Sequence, residues 1–98
     1  MLKEIIQEMK CNVKKELSQL NSQELQAVKR IILDRERTNY DPKWQAEYFY
    51  GNKKDQSKED AKYLVKILTK YNIKCPENEI AKYFLDGEDP KEYFKNMK

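Results

Sequence analysis

The chain has 98 residues, of which 39% are hydrophobic and 38% are charged, and this length supports one small domain. The net charge of +3 is too small for a disordered polyelectrolyte or a strongly basic arm. Because the chain has no histidine, Ser-His-Asp and Cys-His nucleophiles and imidazole metal sites are excluded. Its two glycines leave no phosphate-cradling loop, so we expect a non-enzymatic protein with no cofactor, no metal and no small-molecule substrate.

The sequence contains no long apolar segment and only two cysteines. Its apolar runs are no more than three residues long, whereas a membrane span needs about 20 apolar residues and a signal peptide about 7–15. We therefore expect a cytoplasmic protein. Cys11 and Cys75 stand 64 positions apart, without the spacing of a zinc site. In a reducing compartment we expect reduced thiols, and a disulfide between these two cysteines is the alternative.

The first part of the chain, residues 1–37, is predicted to form a helical hairpin. Apolar residues at three- and four-residue steps predict one amphipathic helix over residues 2–20, with Cys11 on its opposite, exposed face. This stripe could form a homodimer seam or pack on the chain's own core; the seam candidates are Leu2, Ile6, Met9 and Val13. Asn21 and Glu24 have the spacing of a capping box, which predicts a second helix that ends near Arg37.

The segment 38–56 allows two interpretations. Asp41-Pro42 is a favourable helix start and Gly51 a favourable helix end, which predicts a helix between them. The side chains of 43–50 also alternate as in a strand, so a small β-hairpin at 43–54 is the alternative. Aromatic side chains dominate protein interfaces but also fill small cores. The candidates for protein contact here are Tyr40, Trp44, Tyr48 and Tyr50.

The C-terminal part, residues 57–98, is predicted to hold three helices. The first begins at Ser57 with Asp60 as its capping partner, the second covers 77–85, and the third begins at Pro90. The order of these helices, with the sequence Glu-Ile-Ala-Lys-Tyr-Phe at 79–84, resembles a helix-turn-helix domain. The resemblance implies DNA binding, but acidic residues at the start of the third helix depart from a recognition helix.

Taken together, these patterns predict an all-α fold. We expect a single helical domain over residues 1–98, built as a small bundle of five to six short helices. Its C-terminal half is helix-turn-helix-like, and the hairpin at 43–54 is the one β alternative.

The strongest functional signal is a row of lysines four residues apart, with two more just before it. These are Lys53, Lys54, Lys58, Lys62, Lys66, Lys70 and Lys74. Residues 53–74 carry a local charge of +4, whereas residues 76–98 carry −2. On a helix, lysines at this spacing rise about 6 Å per step and can follow a phosphate backbone. The alternative is that they only keep an amphipathic helix soluble.

Two functions are compatible with these features. The first is a DNA-binding accessory or regulatory protein, dimeric and encoded by a phage or mobile element, whose lysines contact phosphates. The chain has 17 Lys against three Arg, a skew that AT-rich coding sequences produce. This skew suggests a low-G+C bacterium, phage or plasmid as the source. The second is a protein-binding inhibitor or adaptor of the immunity, anti-defence or antirepressor type. There the aromatics around Trp44 and the acidic C-terminal third would make the contact.

Overall fold

A computed structural model describes residues 11–96, and these residues contain six α-helices and no strand. The all-α fold predicted from the sequence is confirmed. The helices are α1 (Val13–Leu17), α2 (Ser22–Arg37), α3 (Pro42–Tyr50), α4 (Lys54–Lys70), α5 (Glu77–Phe84) and α6 (Pro90–Lys95).

Helix α2 is the central element of the bundle and packs against α4, α5 and α6. It begins with the predicted capping box. The Glu24 N–H donates to Asn21 Oδ1 at 2.8 Å, and the Asn21 N–H donates to Glu24 Oε1 at 3.0 Å. Val28, Ile31 and Ile32 are fully buried on its inner face. Since the capping box is a local signal, the sequence predicts the start of this helix closely.

The prediction of one helix over residues 2–20 is wrong within the described residues. Asn12 has extended backbone angles, and its side chain accepts the N–H of Lys15, so α1 begins only at Val13. A capping asparagine has non-helical backbone angles, so Asn12 cannot lie in the interior of one continuous helix. Cys11 is half-buried and packs against the core instead of being exposed. Residues 1–10 lie outside the described part.

Residues 42–50 are helical, so the hairpin interpretation of 43–54 is wrong. Asp41 accepts the N–H of Trp44 at 3.2 Å, and Pro42 occupies the first helical position. Gly51 ends the helix and donates its N–H to the carbonyl of Glu47. Capping at both ends favours the helix, and the helix still buries Tyr48 and half-buries Trp44 and Phe49.

The C-terminal part holds the three predicted helices in the predicted order. Each of them packs against α2, and α5 also packs against α6. Helix α4 begins at Lys54, one turn before the predicted start at Ser57. Left-handed backbone at Asn72, with φ of 53°, follows α4 and turns the chain toward α5. The helix-turn-helix resemblance remains a prediction from the order of elements.

No helix within residues 11–96 combines the length and the apolar character that crossing a membrane requires.

Candidate nucleic-acid interface

The outer side of α4 carries four of the predicted lysines. Lys58, Lys62, Lys66 and Lys70 are all exposed, and we call them the lysine face. Because residues 54–70 form one continuous helix, the four-residue spacing places these lysines about 6 Å apart along its axis. Successive members are also rotated by about 40° around the axis, so the row follows a shallow spiral.

The orientation of the lysine face is fixed by what α4 buries. Ser57, Asp60, Leu64 and Ile67 are buried, at steps of three and four residues. These residues define an inner side that packs against α2 and α3. Since the lysines occupy the other positions of the same helix, they must project away from the bundle.

Lys70, at one end of the lysine face, is paired with a carboxylate of α2. Its Nζ lies 3.2 Å from Glu24 Oε2, and the Tyr71 hydroxyl donates to Glu24 Oε1 at 2.6 Å. The hydrogen bond to Glu24 raises the pKa of Lys70. Lys70 therefore already has a carboxylate partner within the molecule, although its side chain is 56% exposed.

The other three lysines of the face have little internal neutralisation. Lys62 Nζ lies 3.7 Å from Glu59 Oε1, with both side chains at least 75% exposed. Such an exposed pair is worth little and competes weakly with an external anion. Within residues 11–96, neither Lys58 nor Lys66 takes part in a salt bridge at 4.0 Å or less. These three ammonium groups therefore form the open part of the lysine face.

Lys74 is not part of the helical row, so the expectation of a five-lysine ladder is wrong at its last member. Helix α4 ends at Lys70, and the left-handed Asn72 interrupts the helical register. Lys74 is exposed in the following loop, where its backbone N–H donates to Glu16 Oε1 at 3.0 Å. The four-residue spacing in the sequence continues past the point where the helix ends.

The two lysines before the row differ from one another. Lys54 is exposed as the first residue of α4. Lys53 is half-buried, and its Nζ stands 5.5 Å from the centre of the Trp44 ring, a cation–π arrangement. Only Lys54 therefore extends the open positive surface.

The aromatic candidates comprise one fully buried residue, one half-buried residue and two surface residues. Tyr48 is fully buried and donates its hydroxyl to Asp60 Oδ2 at 2.7 Å, so its predicted exposure is wrong. Trp44 is half-buried and donates its indole N–H to the carbonyl of Asp34 at 2.8 Å. Tyr50 is 81% exposed, and Tyr40 is 37% exposed with its ring stacked on Phe94.

The dimer-seam candidates fall largely outside the described residues. Leu2, Ile6 and Met9 belong to residues 1–10. Val13 is half-buried and packs against the chain's own hydrophobic core. For Val13, core packing accounts for its apolar character.

A partly buried ionic cluster under α4 was not predicted from the sequence. Arg30 on α2 donates two hydrogen bonds to Asp60, at 2.8 and 3.1 Å, and a third to Asp34 at 3.2 Å. Asp60 was assigned as the capping partner of Ser57, but α4 begins a turn earlier and Asp60 lies on its inner side. The sequence does contain a signal for this burial. Asp60 lies three residues after Ser57 and four before Leu64, at the spacing of the buried stripe.

The cluster holds the Asp60 carboxylate ionised. Burial raises the pKa of Asp60, but the hydrogen bonds from Arg30 and Tyr48 outweigh burial and lower it overall. The pKa of Asp34 is raised, chiefly by burial. We assign the cluster a structural role, because it joins α2, α3 and α4 beneath the lysine face.

No group of three or more Cys, Asp or Glu side chains within residues 11–96 is arranged to hold a metal ion. Comparison of the chain with protein-family models, with curated proteins and with solved structures finds no match.

Proposed function

We propose that this protein is a non-enzymatic DNA-binding accessory or regulatory protein of a phage or mobile element. In this proposal the outer side of α4 lies along the phosphate backbone of duplex DNA. The observation that carries the proposal is the open part of the lysine face, where Lys58, Lys62 and Lys66 are exposed and lack a strong internal partner.

The chemistry of this surface favours phosphate contact over base readout. Lysine ammonium groups neutralise phosphates and release condensed counterions, which gives affinity without sequence information. Base-specific contacts draw mainly on Arg, Asn and Gln, and α4 has no Arg or Asn and only Gln56. We therefore expect binding of moderate affinity with little sequence preference from this helix.

The test is fluorescence anisotropy of a labelled DNA duplex at two salt concentrations. If three lysines neutralise three phosphates, affinity should fall roughly 40-fold between about 50 mM and about 200 mM salt. A triple variant in which Lys58, Lys62 and Lys66 are all changed to Gln should lose most of the binding and most of its salt dependence. Gln keeps the helix propensity of Lys, so the helix itself should be preserved.

A matched control places the same three substitutions elsewhere. Lys82, Lys91 and Lys95 are exposed on α5 and α6. Changing these three to Gln gives the same loss of net charge without touching α4. The proposal requires the α4 variant to lose far more affinity than the control variant. Equal losses would mean that only total charge matters, and unchanged affinity of the α4 variant would refute the assignment.

One observation favours a second candidate, the protein-binding inhibitor or adaptor. Tyr50 at the end of α3 is 81% exposed, and Val65 on the outer side of α4 is 64% exposed. Tyrosine is one of the residue types enriched among interface anchors, so Tyr50 carries this candidate. A pull-down from nuclease-treated host lysate distinguishes the two. A partner that is retained by the wild-type chain and lost with Tyr50→Ala would support protein binding.

A further inference from the structure

The fold brings the two cysteines close together, although 64 positions separate them in the sequence. Both are free thiols. Cys75 is 5% exposed and belongs to the hydrophobic core, against which the half-buried Cys11 packs. A disulfide needs sulfur atoms about 2 Å apart, so it forms readily only between thiols that the fold already brings close together.

Glu16 holds the two cysteine-bearing segments together. Its Oε1 accepts the backbone N–H of Cys75 at 3.1 Å and that of Lys74 at 3.0 Å. Glu16 belongs to α1, and Cys11 stands two residues before that helix. The hydrogen bonds therefore fix the loop after α4 relative to α1, the helix that directly follows Cys11, and they keep Cys75 near that segment.

The two thiols differ in access from solvent. Cys11 lines an open surface depression together with Glu16, Gln19 and Tyr71. Cys75 is not among the residues that line it. A small reagent in this depression therefore reaches Cys11 first.

We propose that Cys11 and Cys75 form a redox pair, which a low-molecular-weight disulfide such as oxidised glutathione converts into an intramolecular disulfide. The Cys11 thiolate attacks one sulfur of glutathione disulfide, which forms a mixed disulfide and releases one glutathione. Cys75 then loses its proton to solvent, attacks the Cys11 sulfur and releases the second glutathione. Two protein thiols are oxidised, and one glutathione disulfide is reduced to two thiols.

The environment of Cys75 suits the second of these two steps. Burial raises the pKa of its thiol, and the neighbouring Cys11 and Glu16 side chains raise it further. A thiol with a raised pKa is seldom ionised and reacts slowly with external reagents. It still resolves a mixed disulfide held beside it, because that attack is intramolecular.

The disulfide would close a loop that contains α1 to α4. Closing a loop of this length lowers the unfolded-to-folded ratio by up to roughly a thousandfold. The reduced and oxidised chains would thus have the same fold but different stability. This inference is independent of DNA binding.

The test incubates the native full-length chain with mixtures of reduced and oxidised glutathione. Acid quenching, alkylation and intact mass spectrometry then count the remaining thiols, and peptide mapping locates the bond. The wild-type chain should lose both thiols to a Cys11–Cys75 bond and should melt at a higher temperature after oxidation. Cys75→Ser and Cys75→Ala should each stop at a single glutathione adduct on Cys11, whereas Cys11→Ser should stay reduced.

Three results would overturn the proposal. The wild-type chain could stop at a glutathione adduct, its bond could form only in denaturant, or the bond could join two chains. The first would mean that Cys75 does not reach the mixed disulfide, the second that the native thiols do not meet, and the third that the contact is not intramolecular. The wild-type measurement decides between these outcomes even if a variant folds poorly.

Discussion

The two sides of α4 use charged residues in opposite ways. On the inner side, Asp60 accepts hydrogen bonds from Arg30 and Tyr48 and is almost completely buried. On the outer side, Lys58 and Lys66 are exposed and take part in no salt bridge within residues 11–96. A buried charge must be fully partnered to be tolerated, whereas an exposed charge costs the fold little. Inner charges should therefore control stability, and outer charges remain available for a ligand.

The largest expected effect is that of Asp60→Ala. The change leaves the buried Tyr48 hydroxyl without its acceptor and removes the two-bond partner of Arg30. We expect a loss of about 3 kcal/mol in the free energy of unfolding, measured by urea denaturation. Asp55 is the control, since it is an exposed acidic residue of the same helix. Asp55→Ala should cost about 0.5 kcal/mol or less, and equal losses in the two variants would contradict the comparison.

A smaller effect is expected for Tyr48→Phe. This substitution keeps the buried ring and removes only the hydroxyl that donates to Asp60. The expected loss is about 1–2 kcal/mol, because one buried charge-assisted hydrogen bond disappears. Tyr50→Phe, at the exposed end of the same helix, should leave the urea midpoint unchanged. If Tyr48→Phe were equally silent, the hydroxyl would not be part of the ionic cluster.

The smallest expected effect is a change in acid sensitivity for Glu24→Gln. Hydrogen bonds from the Tyr71 hydroxyl and the Asn21 N–H lower the pKa of Glu24 below its ordinary value of 4.5. A lowered pKa contributes stability that is present above pH 4.5 and is lost as the pH falls through the folded value. The melting temperature of Glu24→Gln should therefore fall less steeply than that of the wild type below pH 4.5.

Glu36 provides the opposite case for the same measurement. Burial raises the pKa of its carboxyl above 4.5, so its contribution is fully present below pH 4.5 and is lost as the pH rises. Glu36→Gln should therefore make the fall in melting temperature steeper as the pH is lowered toward 4.5, in the range between 4.5 and the raised pKa, and should leave the slope below pH 4.5 unchanged. A change in the same direction for both variants would mean that hydrogen bonding and burial do not act separately on these two carboxyls.

Local signals account for much of the secondary structure. The capping box at Asn21 and Glu24 predicts the start of α2, and Asp41-Pro42 predicts the start of α3. These signals act over three or four residues, which is why the sequence alone suffices. Asn12 also caps a helix start, but the apolar stripe continues past it, and this periodicity favours one longer helix.

The candidate site was predicted in part. The spacing of Lys58, Lys62 and Lys66 indicates one helical side, and the structure leaves that side exposed. The partner of Lys70 could not be foreseen, because Glu24 precedes it by 46 positions and meets it only through the packing of α4 on α2. The same reason applies to Tyr48, whose hydroxyl is satisfied by an aspartate on another helix.

By itself, the sequence determined an all-α bundle, the bounds of its best-capped helices and a lysine-rich outer side of α4. Helical periodicity and capping are properties of neighbouring residues, so they can be read along the chain. Only the tertiary structure decided that Asp60 and Tyr48 are buried partners, that Lys70 pairs with Glu24 and that Cys11 lies near Cys75. Each of these depends on which helices pack together, and the burial that drives this packing acts between residues far apart in the chain.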